Sequence, residues 1–117
     1  MDISLLVHTC DDYLRFWPGM LFSLEFNWDF TKIPVYWASE EISIHDYNFT
    51  CRELPYKPNN KIQQILTGKT DKNGFSTRMI NSLKQIDSKA FIVSVLNSSN
   101  KVLKVILYIV NSKFFCS

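Results

Sequence analysis

Apolar positions along the chain fall into two patterns, short continuous runs and stripes spaced by three and four. The first run, ISLLV at residues 3–7, ends at the polar HTCDD. An unbroken run of this kind predicts a strand buried on both faces, as in a parallel sheet. Leu14, Trp17, Leu21, Leu24 and Trp28 then predict a helix whose aromatic stripe faces that sheet. Pro18-Gly19 lies inside the stripe, so the helix either begins near Pro18 or kinks there. Ile33, Val35, Tyr36 and Trp37, between a proline and a polar cluster, predict a second strand. Strand, helix and strand within about 40 residues make a βαβ unit, with parallel strands and a right-handed crossover.

The pattern weakens and then recovers. NFTCREL reads as a short third strand, and PYKPNNK, with two prolines and two asparagines, as a loop. KIQQILTGKTDKNG is read as loop, its TGKTDKNG part being the most polar segment of the chain. Phe75, Met79, Ile80, Leu83 and Ile86 predict a second amphipathic helix, with Ser76 or Thr77 available to cap it. AFIVSVL is another buried strand. The tail after it is rich in Lys, Val, Ile, Asn and Ser, and residues 102–110 could supply one edge strand. The order is roughly β-α-β-β-loop-α-β, an α/β layered domain without internal repeats.

Composition narrows the class. A chain of 117 residues is one domain at most. Its 46% hydrophobic and 15% aromatic content can fill a core. A formal charge of +2 without a basic block gives no reason to expect a nucleic acid partner or an anionic membrane. Cys10, Cys51 and Cys116 are odd in number and widely spaced, which suits reduced thiols in a cytoplasmic setting rather than a disulfide scaffold or a zinc site. The N-terminus has no basic n-region, and no stretch reaches the ~18 apolar residues of a membrane span. A soluble protein with no integral membrane segment is expected.

The densest chemistry is HTCDDY, residues 8–13, where the first strand meets its helix. In an open parallel sheet ligands bind beyond the carboxyl ends of the strands. Thr9 and free backbone N–H groups at a helix start could hold a phosphate there. Asp11 and Asp12 compete for the same positive end; one of them is expected to cap the helix, and a contact to a sugar or ribose hydroxyl is compatible with that. Adjacent carboxylates diverge and make a poor acid/base pair. Cys10 with His8 lacks a third orienting group, so both are read as strand-end packing. His45 is read as an exposed loop residue. Glu40 and Glu41 follow the second strand, where an acid often meets ribose. Arg78, in the first turn of the second helix, could reach an anionic ligand or stay solvated. TGKTDKNG fails as a phosphate loop because no glycine stands five residues before Gly68.

Two blocks carry a family resemblance. LLVHTCDDYLRFWPGMLFSLEFNW followed by IPVYWASEE, and then GFSTRMINSLKQIDSK, resemble bacterial GT-A-type glycosyltransferase-like proteins of surface-polysaccharide clusters. Together they cover about half the chain, in the family's order. The resemblance implies a Rossmann-like (GT-A-type), mostly parallel sheet flanked by helices. It also implies a nucleotide-sugar donor at the strand ends and a divalent metal, Mn or Mg, held by acidic residues. By position, Thr9, Asp11 and Tyr13 would lie near the donor nucleotide, Glu40 near ribose or base, and Arg78 near the diphosphate.

One departure shapes the expectation. The family's strand after the second helix leads into an acidic metal-binding segment, whereas no Asp or Glu follows Asp87 here. No metal ligand is therefore identifiable in this chain, and catalytic residues are left unassigned. The expected organisation is an incomplete domain. Residues 1–97 form the N-terminal part of a nucleotide-sugar-binding GT-A-like domain, and residues 98–117 an atypical tail of the kind a truncation or frameshift leaves. The alternatives are a non-catalytic interaction module using the aromatic helix, residues 17–28, and an inactive truncated product.

Overall fold

The computed structural model describes residues 3–69, 74–86, 90–95 and 104–109. β1 (Ile3–His8) leads through a 3-10 helix (Asp11–Phe16) into α1 (Trp17–Asn27), and β2 (Val35–Ser39) follows. A hairpin of β3 (Phe49–Cys51) and β4 (Leu54–Tyr56) precedes β5 (Ile62–Leu66). α2 (Gly74–Lys84), β6 (Ala90–Val95) and β7 (Lys104–Ile109) complete the described elements. Pro18 stands in the first turn of α1, where its missing N–H costs nothing, so the proline starts the helix rather than kinking it.

The described strands form one five-stranded sheet in the order β5-β2-β1-β6-β7, with the hairpin as a separate pair. β1 pairs in parallel with both β2 and β6, and β2 with β5. β7 runs antiparallel at the β6 edge, which matches the edge strand expected within residues 102–110. An α/β domain with a mostly parallel sheet flanked by helices is thus present.

Why the strands read as unbroken apolar runs follows from the two packed faces. Leu5 and Val7 of β1, Val35 and Trp37 of β2 and Ile62 of β5 join Trp17 and Leu21 of α1 in one cluster. Leu6, Ala38 and Ile65, from the alternate positions of the same strands, join Met79, Leu83 and Ile86 of α2 in the other. Each fully buried aliphatic side chain is worth about 1.5–3 kcal/mol. The chain steps one way from β1 to β2 and β5, then returns past β1 to β6. Two crossovers of one hand then place their helices on opposite faces, as observed.

Several expectations are corrected. KIQQIL is no loop: it is β5, at the edge beside β2. NFTCREL is no single strand: its chain turns back at Arg52 and Glu53, both at positive φ (52° and 66°), and Pro55 and Tyr56 of the expected loop lie in β4. Ile80 is exposed rather than part of the buried α2 stripe. α2 begins at Gly74, so Ser76 and Thr77 lie inside its first turn and not ahead of it. The expected burial of β6 and of Phe75, and residues 70–73 of TGKTDKNG, lie outside the described residues.

Two successive positive φ values are the signature of a type I′ hairpin turn, which favours Asn-Gly and costs other residues roughly 1 kcal/mol each. The double change Arg52→Asn and Glu53→Gly is therefore expected to raise stability by about 1 kcal/mol, read as a shift of the urea midpoint without a change in slope.

Candidate functional site

Three parallel strands end along one edge, and each delivers polar side chains there. Beyond β1 come Thr9, Cys10 and Asp11; beyond β2, Glu40 and Glu41; beyond β5, Thr67 and Lys69. The edge includes the point between β1 and β6 where the strand order reverses, the crevice in which open α/β sheets bind ligands.

Arg78 organises this edge from α2. Its guanidinium is buried; Nη2 donates to the Thr9 carbonyl at 2.7 Å and Nε to Thr67 Oγ1 at 2.7 Å. Thr67 Oγ1 in turn donates to the Ser39 carbonyl at 3.1 Å, so one side chain ties together the ends of β1, β2 and β5. From the other face, Trp17 Nε1 donates to Thr9 Oγ1 at 3.2 Å. Arg78 is neither a solvated surface arginine nor an open anion clamp: at 6% exposure its described partners are the protein's own.

Asp11 makes a second clasp. Its Oδ1 and Oδ2 accept the backbone N–H groups of Glu40 and Glu41, at 3.2 and 3.0 Å, while Glu40 Oε1 accepts the Asp11 N–H at 3.0 Å. The cap position of the 3-10 helix is Cys10 and carries no side-chain cap, so Asp11 caps a neighbouring loop in place of its own helix. Asp11 and Asp12 still lie in the first turn of that helix, where negative charge is favourable.

The network unites Thr9, Asp11, Glu40 and Arg78 at one edge. Tyr13 does not join it: its ring packs against the α1-side cluster. His45 is half-buried rather than an exposed loop residue, and its Nε2–H donates to the Ile62 carbonyl at 2.7 Å. Sequence reasoning missed Gln64. Its Nε2 donates to the Trp37 carbonyl at 3.0 Å and to Ser39 Oγ at 2.8 Å, and its Oε1 accepts the Ile44 N–H at 2.8 Å. A glutamine pair inside the apolar frame of IQQIL is the one signal that could have marked it.

His8 and Cys10 both favour their neutral forms. Burial lowers the His8 pKa from 6.5 to about 4, helped by the charge of Arg78 and opposed by Glu40. The Cys10 thiol is pushed up, mainly by burial, with the Glu40 and Asp12 charges adding to the rise. Near neutral pH this gives a neutral imidazole and a protonated thiol, the opposite of an activated nucleophile pair.

The family resemblance implies a divalent metal. Both Asp11 oxygens and Glu40 Oε1 already accept backbone N–H groups, and no described group of three His, Cys, Asp or Glu residues could hold an ion. No helix among the described residues is long and apolar enough to cross a membrane. Comparisons with protein-family models, curated proteins and solved structures give no match.

Arg78→Ala removes two donors and leaves the buried Thr9 carbonyl unsatisfied, an expected loss of about 2–4 kcal/mol in urea unfolding. Arg78→Lys keeps the charge but not the forked geometry and should fall between. His8 sets a pH dependence of definite sign. Its folded pKa lies below its unfolded one, so the unfolded chain binds the extra proton and stability falls as pH drops from 6.5 towards 4. The expected loss between about pH 8 and about pH 5 is roughly 2 kcal/mol, and His8→Gln should flatten that part of the profile.

Proposed function

We propose that this chain is a Rossmann-like, GT-A-type nucleotide-binding domain of the glycosyltransferase-like kind, holding a nucleotide-sugar donor at the carboxyl ends of β1 and β2. The observation that carries the reading is the convergence of Thr9, Asp11, Glu40 and Arg78 on the edge where the strand order reverses. These four residues come from three segments, and their positions match those the family resemblance marks as donor contacts.

In this reading the carboxylates of Asp11 and Glu40 use their remaining lone pairs to accept ribose hydroxyls. Arg78 holds the strand ends in register and supplies positive potential, while the exposed Lys69, loosely paired with Glu41, can swing towards a diphosphate. Among the described residues no group of three possible metal ligands gathers here, so the proposal is donor binding, with no metal-assisted transfer step. The free thiols of Cys10 and Cys51 suit a cytoplasmic setting.

A second reading, an interaction module, is supported by Phe22, Phe26 and Leu54, which are 52%, 81% and 68% exposed; Phe22 also contacts Tyr56 of the hairpin. The two readings separate in one experiment. Calorimetric titration of the folded protein with UDP- and GDP-sugars should show saturable one-to-one binding with Kd on the order of 0.1 mM, about −5.5 kcal/mol. Glu40→Gln should weaken it, and Mn²⁺ should leave it unchanged. Neither heat nor a change in tryptophan emission with any donor would remove the donor reading.

A further inference from the structure

Beside the strand-end network, on the side of the edge strand β5, an open cleft of about 240 Å³ is lined by Glu41, Ile42, Ser43, Asp46, Tyr47 and Leu66. It is smaller than the roughly 300–1,000 Å³ clefts that take drug-sized ligands, so it suits one extended side chain rather than a nucleotide. Its lining is divided by chemistry. Ile42, Leu66 and the Tyr47 ring offer apolar wall, and the ring is held against Phe49 with centroids 4.8 Å apart. Glu41 and Asp46 supply two negative charges, and among the described residues no cationic side chain lines the cleft.

The charges are differently engaged. Asp46 makes no ion pair or side-chain hydrogen bond among the described residues. Glu41 Oε1 has Lys69 Nζ at 3.9 Å, with the two side chains 57% and 84% exposed. Such a pair is loose and readily exchanged. It also shows the chemistry that the cleft attracts, an ammonium at the end of an aliphatic stem.

We propose that this cleft binds an alkyl ammonium group, its methylenes against Ile42 and Leu66 and its charge between Glu41 and Asp46, with the Tyr47 ring as a further attraction. The site does not depend on the donor reading. Lys69 is its internal competitor, since it holds the Glu41 carboxylate when the cleft is empty.

The test is an NMR titration of the ¹⁵N-labelled chain at constant ionic strength. The probes are cadaverine and Nα-acetyl-lysine amide, with 1-pentanol as the uncharged control. Saturable shifts centred on residues 41–47 and 66 are expected for the amines and not for the alcohol. A tighter fit for cadaverine marks a free polyamine as the source of the group, and a tighter fit for the lysine derivative marks a peptide side chain. Asp46→Asn and Glu41→Gln should each weaken binding by about threefold, whereas Lys69→Ala should strengthen it by about twofold. These side chains are exposed, so the changes leave the core untouched, and the spectrum itself reports any loss of the fold. Equal response to pentanol, shifts scattered over the surface, or indifference to Asp46→Asn and Lys69→Ala would overturn the proposal.

Discussion

The structure turns on one buried cation. Removing a guanidinium from water costs several kcal/mol unless its donors are satisfied where it comes to rest. Arg78 meets that condition only if the Thr9 carbonyl and the Thr67 hydroxyl stand together at the edge of the sheet. They do so only when β1, β2 and β5 end level with one another. Trp17 then fixes Thr9 from the opposite face, so the two helical layers meet at a single residue. The same charge helps to keep His8 neutral beneath it, which lets an imidazole lie in a two-faced apolar sheet.

Around this point the backbone polarity of the strand ends is largely satisfied from within. A crevice of this type offers free N–H groups to an anion in many α/β proteins. Here the Asp11 carboxylate takes two of those groups and Glu40 takes a third. The acids act as resident anions, and that explains how adjacent carboxylates are tolerated where a parallel sheet usually gathers positive potential.

What could be read from the sequence was whatever is written locally. β1, the α1 stripe, β2 and the Met79, Leu83 and Ile86 face of α2 follow from periodicity within single windows. The edge strand β5 did not, because Gln63 and Gln64 interrupt its apolar frame. Gln64 faces inward, with Trp37, to serve the loop after β2, so a strand position had been given over to a distant hydrogen-bonding task. The hairpin was hidden by a turn made from Arg52 and Glu53, residues that carry no turn signal. For the candidate site, residue types and strand-end placement were legible. Their pairings were not, since the partners of Asp11 lie 29 and 30 residues away and those of Arg78 lie 69 and 11 residues away.

These pairings decide what the edge can recognise. Arg78 is spent on the protein's own oxygens and the accessible polar atoms are mainly carboxylate oxygens, so a ligand gains most by donating hydrogen bonds. Hydroxyl groups and ammonium groups do that; a bare phosphate does not, and must rely on the long-range potential of Arg78 and Lys69. On the donor reading, recognition of a nucleotide sugar would therefore rest first on its ribose, with the diphosphate a weaker, salt-sensitive contributor. The neighbouring cleft follows the same logic with a cation. In both places carboxylates set the preference, Asp11 and Glu40 at the edge and Glu41 and Asp46 in the cleft.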